Sequence, residues 1–186
     1  MRIHHDLRAG WNHRFQQRQR PSEAEGVLTI HPRSGIQCVQ PWLELTRATY
    51  QFRSIIERAA VRVFTETADE SLLETLTTCH TALIARMEAQ GVTPDGLAEV
   101  DAVGQLMHAS VIGIMHNPLI DIRYRRMMND LRLLRLDRKF TAPIILGTLR
   151  EHMEILAACT RRDADAAEAA LQVHLHAAIQ RNIGFM

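Results

Sequence analysis

Three of the ten histidines occupy positions from which their side chains are expected to point into a helical core. His152 and His174 lie on the apolar stripes of two consecutive predicted helices, whose connecting turn centres near Arg162. One lies ten residues before that turn and the other twelve after it. At about 1.5 Å per residue, they reach similar heights on an antiparallel pair. His108 flanks the stripe of an earlier helix and could approach the same space.

Imidazole nitrogens are preferred ligands of Zn²⁺, Ni²⁺ and related divalent ions. The spacing therefore predicts a divalent metal site built from His108, His152 and His174, with Zn²⁺ or Ni²⁺ as the expected ion and open positions for water or a ligand oxygen. The alternative is that the three are hydrogen-bonded core residues, and the spacing alone leaves both interpretations open.

No enzyme motif accompanies these histidines. The sequence contains no glycine-rich phosphate loop, no G-x-S-x-G, no H-E-x-x-H and no paired-carboxylate motif. Glu151 is adjacent to His152 but is expected on a different helix face, and a hydrolytic metal enzyme needs an acid or base beside its metal. We therefore predict that the protein is not an enzyme. The alternative is a stand-alone metal-binding helical protein with enzymatic activity.

The composition is that of a globular protein. Of 186 residues, 46% are hydrophobic and 23% are charged, with a net charge of +1, which argues against a disordered chain. No apolar run of about 18 residues is present, so no membrane partner is expected. The N-terminus shows no apolar leader segment. Because the three cysteines are odd in number and far apart, we expect a reducing, cytoplasmic environment.

Residues 42–186 show helical periodicity interrupted by short polar breaks, which predicts an all-α, antiparallel six-helix bundle. Asp69, Asn117 and Asp163 are expected to cap three of the helices. In the first helix, about 42–64, one apolar face is predicted to pack inward: Leu45, Phe52, Ile56, Ala59 and Val63.

Residues 1–41 differ in character and are predicted to form a separate N-terminal segment. They are polar and rich in Gly and Pro, and residues 1–35 contain six arginines against three acids. Such a basic segment suits contact with a polyanion, although a solvated tail is an equal alternative. Two β-prone runs flanking P-R-S-G predict a short β-hairpin over about 26–40.

Several motifs in residues 42–186 resemble one protein family. The first helix contains Y-x-x-R-x-x-I-E-x-x-A from Tyr50, and His108 begins H-x8-N-P-L. From Glu151 the chain reads E-H-x-x-I-L, followed from Arg162 by R-D-A-D-A-A-E-A-A-L-x-x-H-L. In this order and spacing the motifs resemble the C-terminal effector-binding (FCD) domain of GntR-family bacterial transcription regulators, in its smaller, VanR-like form.

The resemblance implies a helical domain that binds a small organic-acid effector near a metal and forms a homodimer. In the family an Asp and three His hold the metal. The three His match His108, His152 and His174, whereas the Asp position is Gly104 here, so metal binding should be weaker. Arg53, in the opening motif, could grip the effector's carboxylate, or it could pair with Glu57 one turn on.

The predicted hairpin resembles the wing of the family's winged helix-turn-helix, with Arg33 as a candidate contact to operator DNA. Residues 1–22 do not match the three-helix unit that precedes a wing. We therefore expect the chain to carry an incomplete winged-helix remnant, without the helix that reads bases in the major groove. A further alternative is a truncated dimerisation partner that blunts full-length regulators.

Overall fold

The computed structural model describes residues 28–31, 35–38, 43–133 and 141–183. The chain divides into two compact units, Met1–Trp42 and Leu43–Met186. In the first unit, strands β1 (Leu28–His31) and β2 (Gly35–Cys38) pair antiparallel. These strands lie within the span predicted to form a hairpin. Arg33 lies outside the described residues, so its proposed DNA contact stays a prediction.

The second unit is the predicted six-helix bundle. Its described residues form six helices: α1 (Leu43–Thr67), α2 (Glu70–Gln90), α3 (Pro94–Gly113), α4 (Pro118–Leu133), α5 (Ala142–Thr160) and α6 (Ala164–Ile183). No helix among the described residues is long and apolar enough to cross a membrane.

The helices do not all pack against their neighbours in sequence. Helix α1 packs most extensively against α6, the last helix, and α5 packs against both α6 and α2. Helix α3 contacts α1, α2, α4 and α5. Within the described residues, the backbones of α1 and α2 do not approach closely, nor do those of α4 and α5. Helix α3 contacts α5, and α5 packs against α6. These three helices contribute the three predicted site histidines, which therefore share one part of the core.

Side-chain hydrogen bonds explain where two of the helices, α4 and α6, begin. The side chain of Asn117 accepts a hydrogen bond from the backbone N–H of Leu119 at 3.0 Å, and that of Asp163 accepts one from Ala166 at 3.0 Å. Both residues thus satisfy amide groups that the first helical turn leaves unpaired. Asp69 occupies the predicted capping position of α2, but its side chain makes no cap hydrogen bond.

The predicted inward face of α1 is only partly correct, since Leu45 and Ile56 pack against the core but the other three residues do not. Phe52 and Val63 are 38% and 36% exposed, and Ala59 is also exposed. The face that packs inward is rotated toward a partly polar set of residues: Tyr50, Arg53, Glu57, Ala60, Val61 and Phe64. Apolar periodicity could not identify this face, because a buried Arg–Glu pair interrupts it, and such a pair is stable only when partners on other helices satisfy it.

Two phenylalanines on α1 test the corrected orientation. Phe64 has no exposed surface, whereas Phe52 is 38% exposed. We expect Phe64→Ala to lower the free energy of unfolding by about 3–5 kcal/mol, because it leaves a cavity in the core. Phe52→Ala should cost clearly less. Urea denaturation of both variants measures the difference, and equal losses would contradict the orientation of α1.

Candidate metal centre

The structure brings together the three histidines that the sequence singled out. His108 on α3, His152 on α5 and His174 on α6 are buried, and each offers a ring nitrogen such that the three atoms lie within 4.8 Å of one another. The ring centroids are 4.6 to 5.3 Å apart. Three nitrogens from three helices at this separation could hold one divalent ion.

His108 is oriented by a buried carboxylate. Its Nδ1 lies 2.8 Å from Glu57 Oε2, and Glu57 has no exposed surface. Glu57 also accepts hydrogen bonds from Arg53 Nε at 2.6 Å and from the Tyr124 hydroxyl at 2.7 Å. Burial alone would raise the pKa of Glu57, but the charge of Arg53 and the hydrogen bonds lower it well below its usual range. An ionised carboxylate only accepts, so His108 Nδ1 carries a hydrogen and donates it.

His174 is oriented in the same way by Glu151. Its Nδ1 lies 2.9 Å from Glu151 Oε2, and Arg181 donates to both oxygens of that carboxylate at 2.7 Å. Burial opposes ionisation of Glu151, yet the hydrogen bonds from Arg181 and His174 lower its pKa to about 2. Burial lowers the pKa of His174 to about 4, so this ring is neutral at physiological pH.

His152 contacts a fourth buried histidine, one that the sequence pattern did not single out. His80, on α2, has no exposed surface, and its Nε2 lies 3.1 Å from His152 Nδ1. Among the described residues, Nε2 of His152 is the one buried side-chain nitrogen or oxygen without a hydrogen-bond partner. Burial lowers the pKa of His152 well below its usual range. An unpartnered buried nitrogen, on a ring next to two other imidazoles, fits a metal ligand.

The histidines form part of the wall of a cavity of about 650 Å³. Near them the wall is polar, with Arg53, Gln105, Arg181 and Asn182. Toward the N-terminal ends of α3 and α5 it is mainly apolar, and there it includes Leu97, Val100, Ile144 and Ile145. A cavity of this size accommodates a small organic ligand.

Arg53 forms the salt bridge with Glu57 that one interpretation predicted, and its contact with an effector carboxylate stays a prediction. Its Nε is bonded to Glu57, as the salt-bridge alternative predicted, and its guanidinium also lines the cavity. Arg53 Nη2 lies 3.3 Å from Nε2 of His108. A metal ion bound by His108 would therefore compete with Arg53 for the same nitrogen lone pair.

Gly104 also lines the cavity, next to His152. A Cβ atom at this position would lie 3.3 Å from Cε1 of His152, which is a tight contact. Asp101, one helical turn earlier, does not replace the missing carboxylate, because its Oδ2 accepts from Gln105 at 2.6 Å and lies 3.7 Å from Arg132. The protein therefore offers three imidazole nitrogens at this centre, and neither position 104 nor Asp101 adds a carboxylate.

Two residues that contact the candidate metal ligands, Glu151 and His80, were not selected from the sequence. Glu151 was expected on a different helix face from His152, and its carboxylate reaches His174 on the neighbouring helix. His80 lies on α2, three helices before His152, and belongs to no recognised motif. Only their contacts with His152 and His174 mark these two residues, and the spacing of residues in the sequence does not reveal contacts between distant helices.

Comparison with known proteins identifies the family. The FCD domain model matches residues 48–177, and the chain belongs to this family. The FCD domain is the effector-binding domain of GntR-family transcription regulators, so the predicted resemblance is confirmed. No curated protein sequence matches significantly.

Solved structures share the fold. The metal-free FCD domain of TM0439 superposes with a TM-score of 0.61 at 20% identity, covering 80% of this chain and 96% of that one. For McbR/YncC of E. coli the TM-score is 0.71 at 14% identity, with coverage of 86% and 74%. A GntR-family transcriptional regulator from Pseudomonas syringae pv. tomato str. DC3000 gives 0.57 at 19% identity, with coverage of 92% and 69%.

The buried neutral histidines predict a loss of stability in acid. The unfolded chain protonates His174 below its ordinary pKa of 6.5, whereas the folded protein resists protonation until about 4. The free energy of unfolding of the metal-free protein should therefore fall as pH falls from about 6.5 to 4, and His174 should contribute on the order of 3 kcal/mol.

Urea denaturation between pH 7 and pH 4 measures this dependence. His174→Gln keeps a donor for Glu151 but cannot titrate, so its curve should be flatter than that of the wild type. His176 is exposed on the same helix, and His176→Gln should retain the wild-type slope. Parallel curves for His174→Gln and wild type would contradict the prediction.

Proposed function

We propose that the helical unit binds a divalent metal ion through His108, His152 and His174 and an organic acid in the adjoining cavity. The observation that carries the proposal is that Nε2 of His152 is buried without a partner, on a ring next to two other imidazoles whose Nδ1 atoms are hydrogen-bonded to carboxylates. Because each Nδ1 is engaged, the Nε2 atoms are the candidate ligand atoms, and at His108 the ion would displace the contact with Arg53 Nη2. The all-nitrogen ligand set favours Zn²⁺ or Ni²⁺ over Mg²⁺ or Ca²⁺.

The charges around the cavity support an anionic ligand. Each arginine of the wall has a carboxylate partner: Arg53 with Glu57, Arg181 with Glu151 and Arg132 with Asp101. The bound ion supplies a Lewis-acidic dication with no protein carboxylate among its ligands. A buried double charge requires compensation, and a carboxylate oxygen from the ligand provides it. Gly104, which has no side chain, leaves space in the cavity wall next to His152.

The shape of the cavity indicates the class of acid. Val100 lies eight residues before His108, and Ile145 lies seven residues before His152. At about 1.5 Å per residue, the apolar wall is roughly 10 to 12 Å along the helix axes from the histidines. We therefore propose a monocarboxylate whose head group contacts the polar end and whose apolar body extends toward Leu97 and Ile144.

As in a transcription regulator, the organic acid would favour one geometry of a homodimer and thereby change the affinity of that homodimer for operator DNA. Helix α1 supplies a candidate dimer surface, since the side chains at Phe52, Ile55, Ala59 and Val63 form one exposed apolar face. A cytoplasmic location suits this role. Base-specific DNA contacts and the part of Arg33 remain predictions from the family resemblance.

Calorimetry with Zn²⁺ or Ni²⁺ on metal-stripped protein tests the metal centre. We expect one ion per chain, and a loss of affinity of at least tenfold in His152→Ala, because a buried ligand is removed. His176→Ala, an exposed histidine on α6, serves as the control and should bind like the wild type. Equal affinity in wild type and His152→Ala would contradict the site.

A series of straight-chain monocarboxylates, from acetate to octanoate, tests the ligand class on zinc-loaded protein. Affinity should rise with chain length by up to about 0.8 kcal/mol per methylene group that enters the apolar end. Ile144→Ala should weaken octanoate binding more than acetate binding. Leu119→Ala, which changes an exposed residue of α4 outside the cavity, should have no effect. Affinity independent of chain length would contradict an apolar ligand body.

A further inference from the structure

A fourth buried imidazole lies behind the three that face one another. His80 on α2 has no exposed surface, and its ring meets that of His152 edge-on, with centroids 5.2 Å apart and planes inclined by 75°. Its Nδ1 lies 2.7 Å from the backbone carbonyl oxygen of Leu76, and its Nε2 lies 3.1 Å from Nδ1 of His152. Both nitrogens of His80 thus have a hydrogen-bond partner: Nδ1 bonds the backbone of its own helix, and Nε2 bonds His152, the candidate metal ligand.

These contacts fix the positions of the hydrogens. A carbonyl oxygen only accepts a hydrogen bond, so Nδ1 of His80 carries a hydrogen. In a neutral ring the other nitrogen then has a lone pair, and Nε2 of His80 accepts. The donor to it must be Nδ1 of His152. That leaves Nε2 of His152 without a hydrogen, which is the form of the ring that binds metal, and this is the atom with no partner in the protein.

We infer that His80 is a positioning residue that holds His152 in the tautomer and orientation required for metal binding. The inference rests on the proposed metal centre and extends it to a second layer of residues. Glu57 and Glu151 hold His108 and His174 through the same ring nitrogen, Nδ1. His80 differs from them because it supplies an acceptor without adding a negative charge. Outer-shell partners of this kind fix the ligand's tautomer in metal sites.

An apolar substitution separates positioning from simple packing. His80→Leu fills the site but offers no acceptor to His152, and His80→Gln offers a carbonyl oxygen that can accept from Nδ1. We expect the zinc dissociation constant to rise 10- to 100-fold in His80→Leu. In His80→Gln it should stay within a few-fold of the wild type. His176→Leu, at an exposed position, controls for the loss of a histidine, and thermal unfolding establishes that each variant is folded.

The protonated nitrogen of His152 gives a second readout that does not depend on metal. Two-bond ¹H–¹⁵N spectra of the metal-free protein should show the hydrogen on Nδ1 in the wild type and in His80→Gln. In His80→Leu it should move, at least in part, to Nε2. A hydrogen on Nε2 in the wild type would overturn the inference, as would wild-type zinc affinity in His80→Leu or equal weakening in both folded variants.

The two readouts also distinguish the failure of this inference from failure of the proposed function. If the wild type binds no zinc, the proposed metal centre is wrong. The spectra of the metal-free protein still decide whether His80 sets the tautomer of His152.

Discussion

Glu57 carries a negative charge at a position without exposed surface, and only the protein can compensate that charge. Arg53 does so from the same helix, Tyr124 from α4 and His108 from α3. Leaving a buried charge unpaired costs several kcal/mol, so these donors must all be in place when the bundle forms. The requirement fixes the relative positions of α1, α3 and α4, and with them the orientation of the His108 ring.

The same requirement explains why the inward face of α1 contains charged residues although its sequence suggests that an apolar face should pack inward. Helix α1 keeps several apolar side chains, Phe52 and Val63 among them, at its surface and turns Arg53 and Glu57 inward. A fold selected for stability alone would gain by burying the apolar face. On the buried polar face Arg53 lines the cavity, and the exposed apolar face is available for contact with another chain.

Burial disfavours the charged form of His80, His152 and His174, and this has two consequences. The pKa values of His152 and His174 are lowered because a charged ring would lose its hydration, so four buried histidines can coexist in a small volume. A neutral ring is also the form that binds a metal ion, and no proton has to be displaced from Nε2 of His152. The packing that stabilises the core therefore also prepares the candidate ligands.

Much of the architecture followed from the sequence, because it depends on local and periodic signals. The number of helices, the caps at Asn117 and Asp163 and the shared height of His152 and His174 all follow from residue types and a rise of 1.5 Å per residue. The inward face of α1 did not follow from the sequence, and neither did the contacts of Glu57, Glu151 and His80 with the three histidines. Those depend on which polar groups meet across helices distant in sequence, and only the tertiary structure decides that pairing.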